Sequence, residues 1–186
     1  MTDMPFAVEM FFDEKADNLV RDVWTDLARA DLTLSMIDGG YRPHVTLAVF
    51  EGYASPKFED ELRFFTEKRR VFPIKLDYLG VFPRPEGVVY FGAVVTEHLL
   101  SVHNEYTKLF APLVTGVRPY YLPGSWVPHC TLAYSLSVAA IPAAVEVCSR
   151  SMLPINAKVK EIGLVEFPGH REVLTCELVR NPRDGS

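Results

Sequence analysis

The stretch PHVTLAVF at residues 43–50 returns as PHCTLAYS at residues 128–135. His44 and His129 stand 129 − 44 = 85 positions apart, and the offset holds downstream. Phe82-Pro83 falls on Phe167-Pro168, Leu79 on Leu164, and GVVYFGAVV (87–95) on EVLTCELVR (172–180) without a gap. A register kept that far marks an internal duplication. A chain that repeats one unit folds as two similar halves, and no compositional figure constrains the fold as much.

Local patterns supply the elements of each copy. FAVEMFF (6–12) reads as a strand. Asp13 caps a helix in which Ala16, Leu19, Val20, Val23, Trp24 and Leu27 recur at helical spacing. Ser55 and Pro56 open a second helix, a capping hydroxyl followed by proline in the first turn, with Phe58, Leu62 and Phe65 inward. Strands are expected over 74–82 and 88–95. Thr96 then caps a helix with Leu99, Val102, Tyr106 and Leu109 inward, another helix starts near Pro142, and strands over 159–167 and 173–179 follow. Strands this frequent and this often sequentially paired argue against a doubly wound sheet. The expected class is α+β: a single domain over 1–186, bilobal and duplicated, with two mostly antiparallel sheets, helices on their outer faces, and a central cleft between two pseudo-symmetric lobes. Loops 32–42 and 114–127 lead into the motif strands, and the second, VTGVRPYYLPGSWV, has the length of a binding loop.

A 186-residue chain that is 48% hydrophobic can bury a sizeable core, and a net charge of −5 argues against coating long nucleic acid. Small substrates, or the end of a polymer, fit better. Cys130, Cys148 and Cys176 form no CxxC pair, which suits a reducing cytoplasm. No apolar run approaches the ~20 residues of a membrane helix, and MTDMPFAVEMFF lacks the basic start of a secretory signal. A monomer is expected.

Side chains alternate across a strand, so His44, Thr46, Ala48 and Phe50 share one face, as do His129, Thr131, Ala133 and Ser135. The opposite faces, with Val45, Leu47 and Val49 in one copy and Cys130, Leu132 and Tyr134 in the other, read as core. A lone strand histidine is ordinarily a hydrogen-bonded structural residue. A His-Thr pair repeated on the same face of equivalent strands is harder to explain that way. Facing each other across a cleft, one neutral imidazole can deprotonate water while the other protonates a leaving oxygen on the far side of a phosphorus. The threonine hydroxyls can then donate to the non-bridging oxygens. HExxH, G-x-x-x-x-G-K-[ST] and G-x-S-x-G are all missing from the chain. His98 and His103 fall on different faces of a helix and His170 sits in a turn, so neither a metal nor a cofactor is expected.

The segments PHVTLA and PHCTLA resemble the paired H-x-[ST]-hydrophobic motifs of the 2H phosphoesterase superfamily. It includes the RNA 2′,3′-cyclic phosphodiesterases historically called 2′-5′ RNA ligases. The resemblance implies a bilobal α+β fold with a central groove and metal-independent cleavage of cyclic or 2′,5′-linked phosphoesters. It makes His44, Thr46, His129 and Thr131 the catalytic set. The expected partner is a nucleotide or short RNA end bearing a cyclic phosphate, hydrolysed to a phosphomonoester. The alternatives are 2′-5′ RNA ligation and a non-catalytic module that binds phosphate-terminated RNA or nucleotides. The sequence leaves the division of labour open; the working assignment is His129 as base and His44 as acid. Candidates to stack on bases or hold phosphate are Tyr41, Arg42, Phe50, Arg118, Tyr121 and Trp126, with Phe50 foremost because it shares the motif face. Arg84 and Arg171, in the turns after the two Phe-Pro pairs, are left unassigned.

Overall fold

The computed structural model describes residues 5–83, 87–167 and 170–180; Arg84 and Pro168 lie outside them. Six apolar residues around one glutamate form β1 (Phe6–Phe12). The Asp13 carboxylate then accepts the Ala16 N–H at 2.9 Å and starts α1 (Glu14–Arg29). There follow α2 (Ser35–Asp38), β2 (His44–Phe50), the short β3 (Gly52–Tyr53), α3 (Lys57–Glu67), β4 (Phe72–Phe82) and β5 (Gly87–Ala93). After β5 come α4 (Glu97–Phe110), the short β6 (Val114–Thr115), β7 (His129–Leu136), α5 (Ile141–Cys148), β8 (Ile155–Glu166) and β9 (Arg171–Glu177). Thr96 caps α4 as expected, accepting the Leu99 N–H at 3.1 Å. Ser55 does not cap α3: its hydroxyl donates to the Glu59 carboxylate at 2.9 Å, and Pro56 takes the cap position. Leu19 and Leu109 are exposed; in α4 the inward stripe runs through His103 and Phe110.

The α+β class holds, with antiparallel pairing throughout the named strands. The strands expected as two sheets are joined into one, in the order β2-β1-β8-β4-β5-β7 with β9 also on β8; β3 and β6 form a small second sheet. The long strands β4 and β8 make the junction. Their N-terminal ends pair with each other, Phe72 to Val159 through Leu76 to Ile155. Beyond that point they diverge, β8 running along β1 and β4 along β5. The third strand beside β1 and β2 therefore comes from the second copy, and the third strand beside β5 and β7 from the first. In this arrangement β5 corresponds to β1, since Glu9 faces Thr46 as Tyr90 faces Thr131. The sequence repeat instead set β5 on β9, which matches the two hairpins but not the places in the sheet. Helices α1 and α5 pack on each other and on the β5-β7-β8 region, while α3 lies against β9 and α4 against β2. No helix among the described residues is long and apolar enough to cross a membrane.

Both motif strands carry a β-bulge at the same place. β1 pairs Val8 with Ala48 but Glu9 with Thr46, so Leu47 is an extra residue. β5 pairs Val89 with Ala133 but Tyr90 with Thr131, which makes Leu132 the extra one. A bulge interrupts the alternation, so the faces are exchanged beyond it. Leu47 and Ala48 both enter the core, as do Leu132 and Ala133. The expectation that Ala48, Ala133 and Phe50 share the histidine face is thereby corrected. Phe50 is fully buried among Phe6, Tyr53 and Phe58. Val49 stays buried as expected, packed with Ala7, Phe11 and Val165, but both it and the half-buried Tyr134 line the histidine cleft.

Candidate active site

Both His-x-Thr pairs open onto one cleft of about 650 Å³. β2 and β7 approach one another there, although they sit at opposite ends of the strand order. The His44 Nδ1 lies 2.6 Å from the Arg42 carbonyl oxygen, and the His129 Nδ1 lies 2.7 Å from that of Val127. A carbonyl only accepts, so Nδ1 carries the hydrogen in both rings and Nε2 is left for chemistry in the cleft. The two carbonyls stand at the same motif position, two residues before each histidine. Pro43 and Pro128 lie between, and a proline restricts the residue before it to extended backbone. Each Pro-His pair thus helps fix its own tautomer.

The two histidines then differ through one position of the sheet. Opposite Thr46 stands Glu9, opposite Thr131 stands Tyr90. Glu9 is fully buried, with Oε1 3.3 Å from the His44 Nε2 and Oε2 2.9 Å from the His170 Nε2. His129 sits instead against the rings of Phe82 and Tyr90, centroids 5.1 and 5.0 Å away. Burial pushes His129 below the ordinary imidazole value; the Val127 carbonyl opposes this and the charge of His44 adds to it.

Both bulges are pinned by indoles. The Trp126 Nε1–H donates to the Thr46 carbonyl at 2.9 Å, and the Trp24 Nε1–H donates to the Thr131 carbonyl at 3.2 Å. These are the chain's only two tryptophans. Trp126 stacks on His103 of α4 at 4.0 Å and 3°, and the His103 Nε2 meets the Tyr121 carbonyl at 2.9 Å, which holds the 114–127 loop over the cleft. Trp126→Phe keeps a ring for stacking and loses the donor. We expect urea denaturation to report a loss of about 1–2 kcal/mol from the unsatisfied carbonyl, and an exposed control, Val138→Ala, to change stability little.

Of the candidates for substrate contact, Tyr41, Arg118 and Tyr121 line the cleft. The Tyr41 ring meets that of Tyr134 edge-on, centroids 5.9 Å apart, and burial is the main cause raising the phenols of Tyr41 and Tyr121. The Arg118 backbone N–H donates to the Val49 carbonyl at 2.9 Å, and its guanidinium to the Tyr120 hydroxyl at 3.0 Å. The other three candidates are placed elsewhere. Arg42 is held by Glu161 at 2.7 Å and Glu172 at 3.3 Å over the Phe11 ring, so what it presents to His44 is its carbonyl. Trp126 supports the loop from below, and Phe50 belongs to the core. Cys130 points into the core as expected, its thiol pushed up to about 12 by burial. The sequence reading left Glu9 unremarked, put Tyr134 on the core face and set His170 aside as a turn residue. Glu9 had a visible signal, a single carboxylate in an otherwise apolar strand. Tyr134 was hidden by the bulge, and nothing local marked His170.

A family model described as the 2′-5′ RNA ligase superfamily matches residues 14–171. Among solved structures, E. coli LigT complexed with 3′-AMP is similar at a TM-score of 0.58 and 17% identity, over 95% of this chain and 99% of that one. E. coli LigT complexed with ATP follows at 0.54 and 18%, over 95% and 98%. TT0787 of Thermus thermophilus is similar at 0.59 and 16%, over 94% and 98%. No curated protein matches the chain. At these identities the structural likeness speaks for the fold.

Proposed function

The chain belongs to the 2′-5′ RNA ligase superfamily of 2H phosphoesterases, and from that premise we propose that it hydrolyses 2′,3′-cyclic phosphates, on nucleotides or short RNA ends, to phosphomonoesters by acid–base catalysis between His129 and His44. The observation that carries the reading is the matched pair of Nδ1 hydrogen bonds, which leave both Nε2 atoms for one cleft. His129, whose burial favours the neutral ring, takes a proton from water as the water oxygen bonds to phosphorus. On the far side a P–O bond of the cyclic diester breaks, and His44 gives its proton to the departing oxygen. The Glu9 Oε1 lies 3.3 Å from the His44 Nε2 and helps to position that ring. Thr46 and Thr131 donate to the non-bridging oxygens as charge grows there. A cleft of about 650 Å³ suits a nucleotide, and E. coli LigT, which shares the fold, has been solved with 3′-AMP and with ATP.

The test is to incubate the protein with 2′,3′-cyclic nucleotides, with and without a chelator, and to identify the products. The expected result is a phosphomonoester at a rate that the chelator does not lower; tight binding without turnover would refute the reading. The same assay across pH has a definite sign. A base works only when neutral, and His129 stays neutral to lower pH than an ordinary imidazole. The acid limb of kcat/KM is therefore expected below the unperturbed value of about 6.5. A limb above that value would mean that His129 is not the base.

A further inference from the structure

Glu9, His44 and His170 bring one carboxylate and two imidazoles together from β1, β2 and the turn before β9, and all three are buried. Their ligand-type atoms lie within 4.8 Å of one another. Glu9 Oε1 is buried and has no hydrogen-bond donor among the described residues, although the His44 Nε2 is only 3.3 Å away. An orphaned buried oxygen is costly unless something occupies the space before it. The His44 Nδ1–H is already committed to a backbone carbonyl, which is how an imidazole is oriented when its other nitrogen binds a metal.

We propose that these three side chains form a site for a divalent d-block cation of the Zn2+ type, and that filling it switches the cleft off. Two histidines with a carboxylate are a donor set such ions accept, with a remaining position open to water or an anion. A tetrahedral ion with bonds of about 2.0–2.1 Å sets neighbouring ligand atoms about 3.3 Å apart. The separations Glu9 Oε1 to His44 and Glu9 Oε2 to His170, 3.3 and 2.9 Å, are near that value, and all the ligand atoms lie within 4.8 Å of one another. Because Glu9 and His44 line the cleft, the ion has a route in. The consequence for turnover follows from chemistry. The ion takes the Nε2 lone pair of His44, and a nitrogen bonded to a metal carries no proton to give to a leaving oxygen. Metal and catalysis compete for one atom, so the ion is an inhibitor and not a cofactor. That consequence rests on the function proposed above; the binding site does not.

Calorimetric titration of the full chain with ZnCl2 tests the site directly. One ion per chain is expected, with affinity falling by at least roughly tenfold in Glu9→Gln, in His170→Gln and in His44→Gln. Co2+ in place of Zn2+ gives ligand-field absorption bands that should disappear in the same variants. Should one variant fail to fold, as its circular dichroism would show, the other two still decide. No binding, or binding equally tight in the folded variants, overturns the site. In the activity assay, Zn2+ is expected to inhibit the wild type, a chelator to reverse the inhibition, and His170→Gln to lose zinc sensitivity. If Zn2+ binds but cyclic phosphates are not hydrolysed, the functional reading fails and the site stands. If Zn2+ binds through these residues without slowing turnover, the proposed switch is overturned.

Discussion

Replacing His44 with alanine is expected to lower turnover of a 2′,3′-cyclic nucleotide by roughly 10²–10⁴-fold, and replacing His129 by a similar factor. Loss alone would not separate the two roles; the leaving group does. A sugar alkoxide departs badly without a proton, whereas p-nitrophenolate needs none. With a p-nitrophenyl phosphodiester that the cleft accepts, His44→Ala should recover most of its deficit. His129→Ala should not, since water must still be deprotonated. Rescue in His129→Ala instead of His44→Ala would exchange the two assignments, and rescue in neither would remove the acid–base scheme. Stability should change little in His129→Ala, whose ring is half-buried at the cleft, and more in His44→Ala, which removes a buried neighbour of the Glu9 carboxylate; thermal denaturation checks this, and turnover is compared on folded protein.

Phe50→Ala is expected to destabilise the fold by about 3–5 kcal/mol, the usual cost of emptying a buried aromatic site. Phe50 is fully buried against three other rings. Its neighbour Val49 lines the cleft and is buried only in a small cluster with Ala7, Phe11 and Val165, and it has the smaller side chain to lose, so Val49→Ala should cost less. Urea denaturation of the two variants decides between the alternating face predicted from the sequence and the bulged strand. A large loss for Val49→Ala with little for Phe50→Ala would restore the simple alternation.

That reversal shows where the sequence stopped being readable. Asp13 and Thr96 could be recognised as caps because each acts on an amide three residues away. The two motif strands were readable because they repeat, and α+β followed from the density of strands. A bulge is a property of pairing, and neither Leu47 nor Leu132 differs in kind from an ordinary strand residue. Arg42 looked like a phosphate ligand because its acidic partners, Glu161 and Glu172, lie in the last strands of the chain. The long-range pairing of β8 with β1 left no local trace for the same reason. Glu9 was visible, but its meaning needed the partner strand that sets it beside His44.

The crossing of β4 and β8 has a consequence for how reactivity arises. Each copy of the duplicated unit is missing an inner strand that only the other supplies. A nascent or partly denatured chain with one copy formed would have a histidine strand on an unfinished sheet and no counterpart opposite it. The two histidine strands therefore come to line one cleft only when both exchanges are complete, and under the proposed function turnover would report full assembly.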